Sequence, residues 1–160
     1  VTKIITKRKI RKPIINFLYV GVLEWNKGVK EMILGFKYYA SINSDNNYFL
    51  EIVGSGSMRE ELEFLVKQEN LESRIKFSGS VPNNQINNYY AKSDVFIFCS
   101  FFETYGLVIQ EAIKNNMFII CHNRGALKEL LNNYKSKVML EDVEAETISK
   151  AILNYIKYGK

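Results

Sequence analysis

Val95-Phe-Ile-Phe-Cys-Ser-Phe-Phe-Glu-Thr-Tyr-Gly-Leu-Val-Ile-Gln-Glu111 reads as a strand, a loop and a helix in succession. The apolar run Val95–Cys99 is a buried strand. Glu103 falls on the loop leaving it, Gly106 at the start of the next helix, and Glu111 about two turns into that helix. The N–H groups of a helix N-terminus lack intrahelical partners and form a ready anion site. One carboxylate beside that site and a second on the helix suit a ligand carrying both phosphates and hydroxyls, such as a nucleotide-sugar.

Outward from this unit the same alternation repeats. Ile14–Val20 is an apolar strand ending at Gly21, and Val29, Met32, Ile33, Phe36 and Tyr39 recur at helical spacing over 29–41. Tyr48–Val53 is the second strand, closed by Gly54-Ser-Gly56. Ser57 with Glu60 reads as a capping box opening the second helix. Arg74–Ser78 is the third strand, 83–91 a short helix with Ile86, Tyr89 and Tyr90 facing inward, and Phe118–Cys121 the fifth strand. A short helix over Ala126–Leu131, a last strand over Val138–Leu140 and a final helix over 143–157 complete the series. Strands apolar on both faces alternating with helices predict an α/β fold: a Rossmann-like, doubly wound parallel sheet of about six strands with helices on both faces. Ligands of such sheets sit beyond the carboxyl ends of the strands. The loops at that edge are 21–28, 54–57, 79–83, 100–106 and 122–125.

The 160 residues suffice for one domain with a real core, and no run approaches the roughly 20 apolar residues of a membrane span. The chain begins at Val1, which reads as a fragment or a processed product. Its net charge of +5 is concentrated in residues 1–12, where Lys3, Lys7, Arg8, Lys9, Arg11 and Lys12 meet no acid. Without those six, 16 basic residues face 17 acidic ones, so residues 13–160 present no basic nucleic-acid surface. The basic stretch reads as a solvated linker, with an interdomain strand or a contact to anionic lipid as alternatives. Cys99 and Cys121 end predicted strands and read as free buried thiols.

Each candidate site has a bland counterpart. Lys27-Gly28 offers a point charge and a close backbone approach to phosphate, or an ordinary turn with a surface lysine. Gly54-Ser-Gly56 lacks the third glycine of a dinucleotide fingerprint, since Arg59 stands there, which argues against hydride transfer with NAD. Glu111 is a hydroxyl acceptor or a partner of Lys114. His122, the one histidine, makes neither a zinc site with two separated cysteines nor a legible catalytic triad, and reads as a loop residue without a chemical task. Trp25, Phe101, Phe102 and Tyr105 shape a sugar or base pocket, or cover the sheet end.

Taken in order, the loops resemble the C-terminal domain of retaining GT-B-fold glycosyltransferases of family 4, the glycosyl transferases group 1. The motifs are Gly21-Val-Leu23…Lys27-Gly28, Val53-Gly54-Ser-Gly56, Ile75-Lys-Phe77-Ser-Gly79-Ser-Val81, Glu103-Thr-Tyr105-Gly106…Glu111-Ala112 and, loosely, Gly125-Ala-Leu-Lys-Glu129. The resemblance covers about Asn16 to Tyr158 and implies one half of a GT-B fold. It implies Lys27 at the donor diphosphate, with Gly21 and Gly54 among the substrate-binding residues. Glu103 would be the catalytic residue, sitting near the transferred sugar's hydroxyls and stabilising the positive charge that develops at its anomeric carbon. Backbone N–H groups of Tyr105, Gly106 and Leu107 would meet phosphate or sugar, Glu111 the ribose, and Ser80 and Val81 the base. Neither a cofactor nor a metal is implied, because helix N-termini and basic side chains neutralise the leaving UDP or GDP.

Two departures stand out. Many members carry arginine after the first glycine, where this chain has Val22, and one lost charge-assisted contact costs about 1.5–3 kcal/mol. Arg124 is the candidate substitute. Ala126 replaces the second glycine of the last turn. The family's acceptor-binding N-terminal domain lies outside these residues, so the resemblance implies weak donor binding and little transfer by this chain alone. It also implies a cytoplasmic enzyme of bacterial surface polysaccharide or glycolipid synthesis, working at the inner membrane face, with the donor and its own N-terminal domain as partners. Two other readings stand beside it: a GT-B-fold sugar-nucleotide epimerase, and a non-catalytic nucleotide-sugar-binding or interaction module.

Overall fold

A computed structural model describes residues 13–45 and 47–159; the basic stretch 1–12 lies outside them. Six strands alternate with helices: β1 (Ile15–Val20), α1 (Val29–Ile42), β2 (Tyr48–Val53), α2 (Arg59–Gln68), β3 (Ile75–Gly79), α3 (Asn83–Ala91), β4 (Val95–Phe98), α4 (Leu107–Lys114), β5 (Phe118–His122), α5 (Ala126–Leu130), β6 (Lys137–Leu140) and α6 (Ala145–Tyr158). All pairings are parallel, in the order β3-β2-β1-β4-β5-β6. The fold is the expected six-stranded Rossmann-like α/β sheet.

This order follows from the connections. The chain walks from β1 to β3 in one direction, returns through α3, and walks from β4 to β6 in the other. Right-handed crossovers then put α1 and α2 on one face and α4 and α5 on the opposite one. The final helix α6 returns to pack along α1. Phe17 of β1 meets Phe36 of α1 edge-on at 5.1 Å, while on the other face Tyr90 of α3 stacks on Phe96 of β4 at 5.8 Å. Phe17, Phe36 and Phe96 are fully buried, and each such side chain contributes about 1.5–3 kcal/mol of burial. β4 is buried throughout because it lies mid-sheet with helices on both faces.

The carboxyl ends of β1 and β4 are neighbours where the winding reverses, which opens a crevice between their loops. Among the described residues no helix is long and apolar enough to cross a membrane. Cys99 and Cys121 are both free and buried.

The capping box read at Ser57 is not formed. Helix α2 begins at Arg59, and its flanking residue Met58 makes no side-chain cap. Instead the Glu24 carboxylate accepts from the Ser57 N–H at 3.0 Å and from its hydroxyl at 2.7 Å. Those hydrogen bonds hold the Glu24 pKa below the ordinary carboxylate value. The Glu24 carboxylate of the first loop thus takes the Ser57 N–H that Glu60 would accept in a capping box, and the Ser57 hydroxyl that would cap the helix.

Candidate functional site

Two loop crossings build the site. Gly28 adopts φ +65°, and a Cβ there would stand 2.0 Å from the Cys99 carbonyl oxygen. That absence of a side chain lets the first loop lie on the end of β4. Phe101 N–H donates to the Asn26 carbonyl at 2.9 Å across the contact. Gly54, at φ +134°, crosses the Gly21 carbonyl so closely that a Cβ would lie 1.8 Å from its oxygen. Backbone bonds from Gly21 N–H to Val53 and from Gly54 N–H to Gly79 tie the three loops into one floor.

The first crossing brings Lys27 and Glu103 together. Lys27 Nζ lies 3.0 Å from Glu103 Oε2, and both side chains are mostly buried. The other oxygen, Oε1, accepts the Gly106 N–H at 3.3 Å. Gly106 takes φ +58° as the residue before α4. The carboxylate thus sits at the positive end of that helix.

The second crossing lines a cleft of about 390 Å³ bounded by Gly21, Val22, Gly54, Ser80, Val81 and Glu111. Its rim is fixed by a hydrogen bond between the Ser55 and Ser80 hydroxyls at 2.9 Å. Leu107 also faces the cleft and is largely exposed. Glu111 stands in the second turn of α4, slightly nearer the helix start than its spacing suggested, and its Oε2 accepts from the Tyr90 hydroxyl at 2.8 Å. Burial, reinforced by the Glu111 carboxylate, pushes the Tyr90 pKa up, so this hydroxyl remains a donor. Glu111 therefore pairs with Tyr90 rather than Lys114.

The structure brings Gly21, Gly54, Ser80, Val81, Leu107 and Glu111 to one cleft and sets Lys27, Glu103 and Gly106 together at the α4 N-terminus. Tyr105, 75% exposed, is outside both sets of contacts, although its carbonyl accepts from the Gln110 amide. Sequence reasoning placed Tyr90 only as an inward-facing residue. Its tie to Glu111 spans 21 positions and joins two helices whose packing no local pattern reveals. Asn83 and Ile86, at the start of α3, also line the cleft.

Two expectations are corrected. Arg124 does not stand with Val22: it lines a second cavity of about 500 Å³ with Glu31, Phe101, His122 and Asp142. That follows from its place after β5, on the far side of β4 from the cleft. His122 is no loop residue but the end of β5, only 3% exposed. Its Nδ1 is 3.1 Å from the Ser100 carbonyl oxygen, and Phe101 packs edge-on to the ring.

A six-stranded parallel sheet whose loops converge at the reversal point, with Lys27, Glu103 and Glu111 there, defines a Rossmann-like α/β domain. The match to known proteins fixes the family: residues 2–160 correspond to the glycosyl transferases group 1, and the chain belongs to that family. It is 30% identical over 116 residues to an uncharacterized glycosyltransferase of Methanocaldococcus jannaschii, covering 72% of this chain and 29% of that one. Its fold matches the C-terminal domain of a group 1 glycosyl transferase (LpcC) from Francisella tularensis. There the TM-score is 0.79 and the identity 22%, over 95% of this chain and 85% of that one. It also matches Anabaena HepE, solved with UDP and glucose, with a TM-score of 0.80 and 20% identity over 91% of this chain and 39% of that one. The chain spans about a third of the length of the curated relatives it matches.

Proposed function

We propose that this chain is the donor-binding half of a retaining glycosyltransferase that moves a hexosyl group from a UDP- or GDP-sugar to a glycan or glycolipid. The observation carrying this reading is the cleft at the β1–β4 reversal, in which Glu111, held by Tyr90, presents one carboxylate oxygen beside the Gly21–Gly54 floor. A carboxylate oxygen accepts from both hydroxyls of a ribose diol, which suits Glu111 to the nucleoside. Ser80 and Val81 then lie where the base would rest. The donor diphosphate extends toward Lys27 and the α4 N-terminus, where a cation and unpaired N–H groups offset its charge without a metal. HepE, whose fold is alike, was solved with UDP, in keeping with such a ligand.

In transfer, positive charge develops at the anomeric carbon as the diphosphate leaves. Glu103 stabilises that charge electrostatically, and the departing diphosphate is the negative partner on the same sugar face. The acceptor and its domain come from the remainder of the enzyme, so this chain alone binds donor and transfers little. We place the reaction in bacterial surface-glycan synthesis on the cytoplasmic side.

Calorimetric titration of the chain with UDP, GDP and their sugars tests the reading. Binding of at least one nucleotide, unchanged by EDTA and lost in Glu111→Ala, is the expected result. A folded chain that binds none of them refutes it and favours a non-catalytic interaction module. The absence of the usual arginine at Val22 is the observation that keeps that second reading open.

A further inference from the structure

We propose that the Lys27–Glu103 contact is autoinhibitory: the Glu103 carboxylate occupies the anion position of its own site, and donor phosphate must displace it before transfer. This rests on the donor-binding reading above. Two oxygens of one side chain make the two contacts a phosphate would make there. Oε2 takes the Lys27 ammonium at 3.0 Å, and Oε1 takes the Gly106 N–H at 3.3 Å. The arrangement is braced from outside. The first loop is fixed on β4 through Gly28 and the Asn26–Phe101 bond, so Lys27 cannot simply swing away with its backbone. The Ser100 hydroxyl donates to the Phe102 carbonyl at 2.9 Å, which holds the chain just ahead of Glu103.

The two contacts differ in quality. The ion pair is short and only 15–21% exposed, whereas the Gly106 bond is long. The side chain is therefore held chiefly by Lys27. When a more highly charged phosphate takes Lys27, Glu103 loses its main partner and is left beside a like charge. Repulsion then turns it out of the anion position, toward the sugar on which it acts. The same displacement couples occupation by the diphosphate to presentation of Glu103, so the acid is presented only when donor is bound.

Calorimetry of the 160-residue chain with UDP, GDP and inorganic pyrophosphate compares the wild type with Glu103→Gln, Glu103→Ala and Lys27→Ala. Circular dichroism confirms folding of each. Removing the internal carboxylate is expected to tighten binding of pyrophosphate and of the bound nucleotide about three- to tenfold, the range of a partly buried ion pair. Lys27→Ala is expected to weaken both. In NMR spectra, the Gly106 amide resonance should move in Glu103→Gln alone and move further on adding pyrophosphate. If the wild type binds and Lys27→Ala binds less, but neither Glu103 variant binds tighter, the autoinhibitory contact is refuted while donor binding stands. If neither the wild type nor the Glu103 variants bind any of the three, both readings fall.

Discussion

Tyr90→Phe removes one oxygen atom and nothing else from the core. The ring remains stacked on Phe96 at 5.8 Å, and its buried surface is unchanged. What is lost is the hydrogen bond to Glu111 Oε2 at 2.8 Å, since the second contact, to the Val108 carbonyl at 3.4 Å, is too long to contribute much. A hydrogen bond to a charged group contributes about 1.5–3 kcal/mol. Glu111 is half-buried at the cleft mouth, so water re-solvates the freed oxygen and brings the net stability cost to about 1 kcal/mol. That appears as a lower midpoint in urea unfolding followed by circular dichroism. The functional effect is separate. Without Tyr90 the Glu111 carboxylate samples several rotamers, and donor must order it on binding. We expect nucleotide affinity by calorimetry to fall about three- to tenfold, the penalty of fixing one rotamer-rich side chain. The double variant Tyr90→Phe/Glu111→Gln should lose little more than Glu111→Gln alone, because the two residues act as one unit. Affinity unchanged in Tyr90→Phe, together with its loss in Glu111→Ala, would refute the orienting role.

Other outcomes follow from the same geometry. Gly54→Ala forces a Cβ against the Gly21 oxygen at an unfavourable φ, and should cost about 3 kcal/mol or more in thermal unfolding and abolish nucleotide binding. Glu51, only 5% exposed, is disfavoured as a charge by burial, yet Lys92 at 2.8 Å and the Ser78 hydroxyl at 2.7 Å hold its pKa below the ordinary 4.5. A carboxyl lowered in the folded state binds protons more readily when unfolded. Its stabilisation is complete above about pH 4.5 and is lost as the pH falls through the folded value; Glu51→Gln should flatten that part of the stability–pH profile. Burial raises both thiols, Cys121 to about 12, so neither should react with iodoacetamide at neutral pH until denaturant is added.

Much of this architecture was legible in the chain. The apolar strands and their turn residues lie within a residue or two of their predicted ends, because hydrophobic period and glycine stops are local signals. Failures arose where a distant residue outbid a local one. Ser57 looked capped by Glu60, but Glu24, 33 positions earlier, supplies the acceptor. His122 looked like a loop residue because its strand is continued by pairing with Leu140 of β6. Arg124 looked close enough to replace the arginine missing at Val22, yet the sheet order separates them.

The sequence by itself determined the alternation of strands and helices, the glycines at the crossings, the family and the residues that gather at one sheet edge. These rest on period, turn chemistry and motif spacing, all readable along the chain. Only the tertiary structure decided which of those residues meet. The reversal at β1–β4 divided the cleft of Glu111 from the cavity of Arg124. It also showed Glu103 bonded to Lys27 and Gly106, and Glu111 to Tyr90, because side-chain partners are set by packing between elements far apart in the chain.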